Sequence, residues 1–201
     1  AVRALWDVVS GIGGQKLVST HSGDLVSEIP TSALRRLVRT STGSQVFRLR
    51  PGRLTPDEER KFNFHIRFAR GELLFAKCWL LVEGETEVIL LTEIAHHLDI
   101  NLEQAGVRCV THQHAGIEMF LKVARDLGIS WCVLADNDSQ GAANQRHVGD
   151  YAGAGSLADL LHVMPEGNIE RHLCSAGFGS VYEGCLSHQT KPRVTVAKGD
   201  P

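Results

Sequence analysis

The chain has 201 residues, 43% of them hydrophobic and 22% charged, with a formal net charge of −2. That is enough for one good core or two small ones, and the balance of charge does not advertise nucleic-acid affinity, although a divalent cation in an acidic site could still bridge it to phosphate. No apolar run is long enough to span a membrane and no charged-then-apolar leader opens the chain. The five cysteines (Cys78, Cys109, Cys132, Cys174 and Cys185) show no metal-ligand spacing, and a reducing cytoplasm is the expected compartment.

The predicted elements begin with a helix from Val2 to about Ser10, a Gly-rich turn, a strand over Lys16–Thr20, a short helix, and strands near Leu34–Arg39 and Gln45–Arg48. Gly11-Ile12-Gly13-Gly14 precedes its strand and is followed by no Lys-Ser/Thr, so the chain holds no phosphate-binding P-loop. Thr55 as N-cap, Pro56 at the first position and Asp57, Glu58 and Glu59 in the first turn mark a helix start. Arg60, Lys61, Arg67 and Arg70 make that helix basic, so it reads either as a contact for DNA backbone or as a solvated linker.

Residues 71–150 alternate regularly: strand 78–82, helix 85–98, strand 107–111, helix 117–127, strand 131–135 and a helix from about Ala142. This pattern predicts parallel βαβ units with right-handed crossovers. Val88, Leu91, Ile94, Ala95 and Leu98 keep helical spacing and should face the sheet. A strand over Leu160–Met164 and a mostly helical remainder follow.

Acids cluster where two of the apolar runs end. Glu83, Glu85 and Glu87 follow Cys78–Val82, and Asp136-Asn137-Asp138 follows Trp131–Ala135. In an open α/β sheet the strand ends form the crevice where ligands bind, and converging carboxylates make a hard oxygen site suited to Mg²⁺ or Mn²⁺. Glu83 and Glu87, four apart, should share a helix face; Glu85 should point elsewhere. Asp136 and Asp138, two apart in an extended segment, should lie on one side. Such acids repel one another without cations, and two ions about 4 Å apart would serve phosphodiester cleavage. His96-His97 and His112-x-His114 lack a nearby Cys or carboxylate at ligand spacing and read as structural or surface histidines.

Glu83-Gly84 at a strand end, a further βα unit and then Asp136-x-Asp138 resemble the Toprim domain, and the wording Trp79-Leu80-Leu81-Val82-Glu83-Gly84-Glu85-Thr86-Glu87 resembles the OLD (overcoming lysogenisation defect) ATP-dependent endonucleases. The resemblance implies an α/β fold: a Toprim-like parallel βα sheet with helices on both faces, flanked by the end of an ABC-type ATPase and a partial helical segment. It divides the chain into an ATPase tail (1–50), a linker helix (51–75), the Toprim domain (76–165) and a mostly helical, truncated segment (166–201). It makes Glu83 a metal ligand or general acid/base, Glu87 the second acid, and Asp136 and Asp138 the metal-binding pair. Glu170 becomes a further ligand, and Lys191 the lysine beside the scissile phosphate. Gln15–Ser22 resembles the switch loop of ABC-type ATPases, in which His21 would contact a γ-phosphate.

The implied activity is cleavage of DNA by a two-metal mechanism with Mg²⁺ or Mn²⁺, as an endonuclease or nickase coupled to an ATPase. ATP would bind only in the full-length protein. The implied partners are DNA, the upstream ATPase domain, a second copy joined through that ATPase, and a helicase; phage defence and DNA repair are the expected settings. The alternative is a non-catalytic Toprim interaction module of the recombination-mediator kind.

Overall fold

A computed structural model describes residues 2–69, 71–113, 115–153 and 156–185, and their side chains apart from those of Val2, Arg3 and Cys185. Helices α1 (Val2–Gly11) and α2 (Gly23–Val26) come first, then the hairpin strands β1 (Arg36–Thr40) and β2 (Gly43–Phe47), then α3 (Pro56–Phe68). The alternation follows as β3 (Cys78–Val82), α4 (Glu85–His97), α5 (Leu102–Ala105), β4 (Val107–Thr111), α6 (Ile117–Leu127), β5 (Ser130–Ala135) and α7 (Ser139–Tyr151). It ends with α8 (Leu157–Leu160), β6 (Leu161–Val163), α9 (Ile169–Leu173) and α10 (Gly179–Cys185).

The fold is α/β, with a four-stranded parallel sheet of order β4-β3-β5-β6 flanked by helices. β3 pairs with β4 from Cys78↔Val107 to Val82↔Thr111, and β5 with β6 from Val133↔Leu161 to Ala135↔Val163. The described residues fall into two compact units divided within β5, between Cys132 and Val133. Among them no helix is long and apolar enough to cross a membrane.

In the first unit the core gathers on β3 and α6. Trp79, Leu81 and Val82 are fully buried, as are Phe120, Leu121, Val123 and Ala124; each large apolar side chain so buried stabilises by about 1.5–3 kcal/mol. The Trp79 indole donates to the Leu73 carbonyl at 2.8 Å and meets Phe120 edge-on. Helix α3 belongs to this core, burying Phe62 and Ile66, so it is more than a solvated linker. Its start follows the predicted chemistry: the Glu58 N–H donates to Thr55 Oγ1, and Glu58 Oε2 accepts from the Thr55 N–H at 2.8 Å.

The hairpin is clamped onto the C-terminal end of α6. The Arg36 guanidinium donates to the carbonyls of Leu74, Ala76, Leu127 and Gly128, which places a cation where a helix C-terminus is electronegative. The Phe47 ring fills the space that a Cβ at residue 128 would take. Asp126, whose side chain is 0% exposed, accepts from the Arg50 N–H at 2.9 Å and from Arg50 Nε at 2.8 Å.

Three local expectations are corrected. Residues 16–20 form no strand, and Leu17 is 97% exposed; a β-prone run needs a ladder partner, and none pairs with it among the described residues. The helix expected from Ala142 starts at Ser139 because Asp138 caps it. On α4 only Ala95 of the predicted stripe is buried, Val88 and Leu91 are half-buried, and Ile94 and Leu98 are exposed.

In the second unit, α7 buries Gly141, Asn144 and Val148, and Met164, Ile169 and Cys174 are buried around β6 and α9.

Candidate functional site

β3 delivers Glu83, half-buried, immediately after its last residue Val82. The neighbouring strand end fixes the main chain here: His112 N–H donates to the Val82 carbonyl and Thr111 Oγ1 to the Glu83 carbonyl, both at 2.9 Å. Glu83 therefore precedes α4 rather than lying on it, with Gly84 as the N-cap. The i, i+4 argument from a shared helix face does not apply to Glu83 and Glu87.

Glu87 is instead a third-position residue of the helix, 6% exposed, whose Oε2 accepts the Gly84 N–H at 2.8 Å. One carboxylate oxygen thus closes an otherwise open amide at the helix start. A carboxylate offers about four lone-pair sites, so Oε1 keeps acceptor capacity. Glu85 is exposed on the first turn of α4. His112, 6% exposed, has its imidazole pushed down to about 4 by burial, and its Nε2 lacks a hydrogen-bond partner among the described residues. His112 is thus a buried neutral histidine beside the strand ends.

In the second unit Asp136, half-buried, follows β5 directly. The chain then bends at Asn137 and Asp138 rather than continuing extended. Exposed Asp138 becomes the N-cap of α7, its Oδ1 accepting the Gly141 N–H at 2.7 Å. Asn137 ties this bend to the next loop, donating from its N–H to the Gly167 carbonyl at 2.6 Å. Gly141 is sterically required: a Cβ there would overlap the Asp136 carbonyl oxygen. Asn137 and Gly141 are thus positioning residues that acid-counting passes over, and the only sequence signal for Gly141 is a glycine in the first turn of a helix, where propensity disfavours it.

Glu170, half-buried, sits in the first turn of α9, which Asn168 caps by accepting the Arg171 N–H at 2.9 Å. The Tyr182 hydroxyl is held above its usual range by burial and then by the nearby Glu170 charge. His21 is exposed just ahead of α2, whose N-cap is Ser22. Arg70, His114 and Lys191 lie outside the described residues.

The donors available are carboxylates, which fit a hard divalent cation. Among the described residues no three His, Cys, Asp or Glu side chains are grouped to hold an ion by themselves. Mg²⁺ does not require such a cage, because it is usually bound by one or two carboxylates together with waters and substrate phosphates.

Residues 74–138 match the family described as the Overcoming lysogenization defect protein-like TOPRIM domain, and residues 1–72 match a second family, described as Protein of unknown function (DUF2813). The chain is 34% identical over 179 residues to the Escherichia coli (strain K12) protein named Uncharacterized protein YbjD, covering 88% of this chain and 32% of that protein; it therefore spans about a third of that relative's length. Among solved structures it is similar to the C-terminal region of the Xanthomonas campestris pv. campestris OLD protein, phased with mercury (TM-score 0.47, 18% identity, 59% of this chain and 69% of that one). It is also similar to the C-terminal region of the Burkholderia pseudomallei OLD protein (TM-score 0.45, 24% identity, 59% and 70%). The matched segment opens just ahead of β3 and closes on Asp138, so it takes in Glu83, Glu87 and Asp136 as well. Residues 74–138 thus carry the match to an OLD-like Toprim domain, a likeness that suggests a nuclease-type module.

Proposed function

We propose that the chain is the nuclease part of a divalent-metal-dependent DNA endonuclease or nickase. The observation that carries this reading is the OLD-like Toprim match over residues 74–138, with acids directly after β3 and β5. Glu83 and Asp136 are the principal metal ligands, Glu87 contributes its uncapped oxygen, and Asp138 and Glu170 complete the acidic set. Two Mg²⁺ or Mn²⁺ ions held by these carboxylates would supply activation of a water and stabilisation of the leaving oxygen.

The chain's own contribution is placement. Thr111 and the His112 amide hold the backbone at Glu83; Asn137 and Gly141 hold it at Asp136. Lys191 stabilises charge on the phosphate. In the full-length protein an ATPase preceding this part, to which His21 belongs, binds ATP, governs cleavage and joins two copies; a helicase is a further partner. Action on phage or damaged DNA is the setting that the family resemblance implies.

Conversion of supercoiled plasmid by the purified chain tests the reading, with Mn²⁺, Mg²⁺ or a chelator and beside Asp136→Ala. Metal-dependent open-circle or linear product, lost in the variant, supports it. A second reading, a non-catalytic interaction module, is favoured by the use of Glu87 and Asp138 as helix caps. Metal-independent DNA binding with no cleavage by the full-length protein would establish that reading instead.

A further inference from the structure

Away from the acidic strand ends, the first unit holds a cleft of about 220 Å³ between the turn before β1 and the turn that joins β2 to α3. Its lining includes Arg35, Arg48, Arg50 and Arg53, against the single acid Glu59, and no lysine. We propose that this cleft binds a terminal phosphate group, a phosphomonoester or the end of a polyphosphate.

The turn that builds it is written into the sequence. Arg50-Pro51-Gly52-Arg53 closes with the Arg53 N–H on the Arg50 carbonyl at 3.1 Å, and Gly52 has φ +71°, the pattern of a type II turn with Pro and Gly at its centre. Arg50 is held by Asp126. Glu59 Oε1 accepts from Thr31 Oγ1 at 3.0 Å. Asp126 also faces Arg53, so Asp126 and Glu59 together offset two of the four guanidinium charges and leave a net positive charge of two at the cleft.

That pairing of Arg53 with Asp126 is loose. Arg53 Nε lies 3.7 Å from Asp126 Oδ1, beyond hydrogen-bonding distance, and has no hydrogen-bond partner among the described residues, so the guanidinium keeps donor capacity. Arg35 is braced on its own loop, donating from one terminal nitrogen to the carbonyls of Ser32 and Leu34. Guanidinium forks match phosphate oxygens in pairs, which a lysine ammonium does not. Duplex backbone is met by cations spread along a line; four guanidiniums on one cleft suit a compact, doubly charged group.

The test is calorimetric titration of the whole chain in chelator, which silences the acidic centre and makes the result independent of the nuclease reading. The probes are pyrophosphate, ATP and one single-stranded oligonucleotide with a 5′-phosphate or a 5′-hydroxyl. Saturable one-to-one binding of a phosphate-terminated probe is expected. Arg48→Ala, at an exposed side chain, should weaken it several-fold. Arg48→Ala with Arg53→Ala should weaken it about tenfold or more. Arg60→Ala, paired with Asp57 on α3, should leave it unchanged. Preference for ATP identifies a nucleotide as the source, and preference for the 5′-phosphate over the 5′-hydroxyl identifies a strand end. Failure of the wild-type chain to bind any probe, or equal binding by the double variant, would overturn the proposal.

Discussion

Glu87 Oε2 accepts the Gly84 N–H at 2.8 Å across the start of α4, so an acid of the nuclease-type motif is also a structural cap. The two roles separate by substitution. Glu87→Gln keeps an oxygen acceptor for the amide and should hold stability within about 0.5 kcal/mol. Glu87→Ala leaves that amide without its partner and should cost about 1–2 kcal/mol in urea unfolding. Both should weaken Mn²⁺ binding if Oε1 is a ligand; unchanged Mn²⁺ affinity in both would leave Glu87 with the cap alone.

Gly141→Ala places a Cβ into the Asp136 carbonyl. The α7 start must then shift, at a cost of about 1–3 kcal/mol. Cleavage should fall further than in Gly149→Ala, a change on the same helix where an added Cβ meets nothing within 4 Å. Equal stability and activity in the two variants would remove Gly141 from the positioning set.

His112 predicts an acid-side loss of stability. Burial holds the folded imidazole down to about 4, against an ordinary value of 6.5, so between these pH values the unfolded chain binds the extra proton. Stability from this residue is fully present above pH 6.5 and is lost as pH falls toward 4. At pH 5 the loss relative to pH 7 is about 2 kcal/mol. Unfolding of the wild-type chain and His112→Gln at both pH values measures it: the wild type should lose about that much more.

Asp126→Asn tests the clamp between the β2–α3 turn and α6. Burial alone would raise this carboxyl, but the hydrogen bonds and charge of Arg50 more than offset it and hold it below the usual range. Its stabilisation is present above the ordinary carboxylate pKa and fades as pH falls below it. Because Arg50 is largely exposed and can return to water, the expected cost is about 1–2 kcal/mol at pH 7, read by thermal unfolding, and it should shrink near pH 3.

Strand ends were legible because buried parallel strands read as apolar runs, as Cys78–Val82 and Trp131–Ala135 do. The caps were less so: an acid in the first turn of a helix has one spelling whether it holds a cation or an amide, and Glu87 and Asp138 each hold an amide. Lys16–Thr20 had strand composition without a ladder partner among the described residues, which only tertiary structure can reveal. The roles of Arg36 and Arg50 depend on carbonyls and a carboxylate some forty to ninety residues away along the chain, beyond any local pattern.

The central claim is that the acids directly after β3 and β5 bind a divalent metal, and Mn²⁺ titration tests it most directly. Calorimetry on the wild-type chain, Glu83→Gln and Asp136→Asn should show each single change weakening Mn²⁺ about tenfold or more. No Mn²⁺ binding by the wild-type chain, or unchanged affinity in both variants, would contradict it.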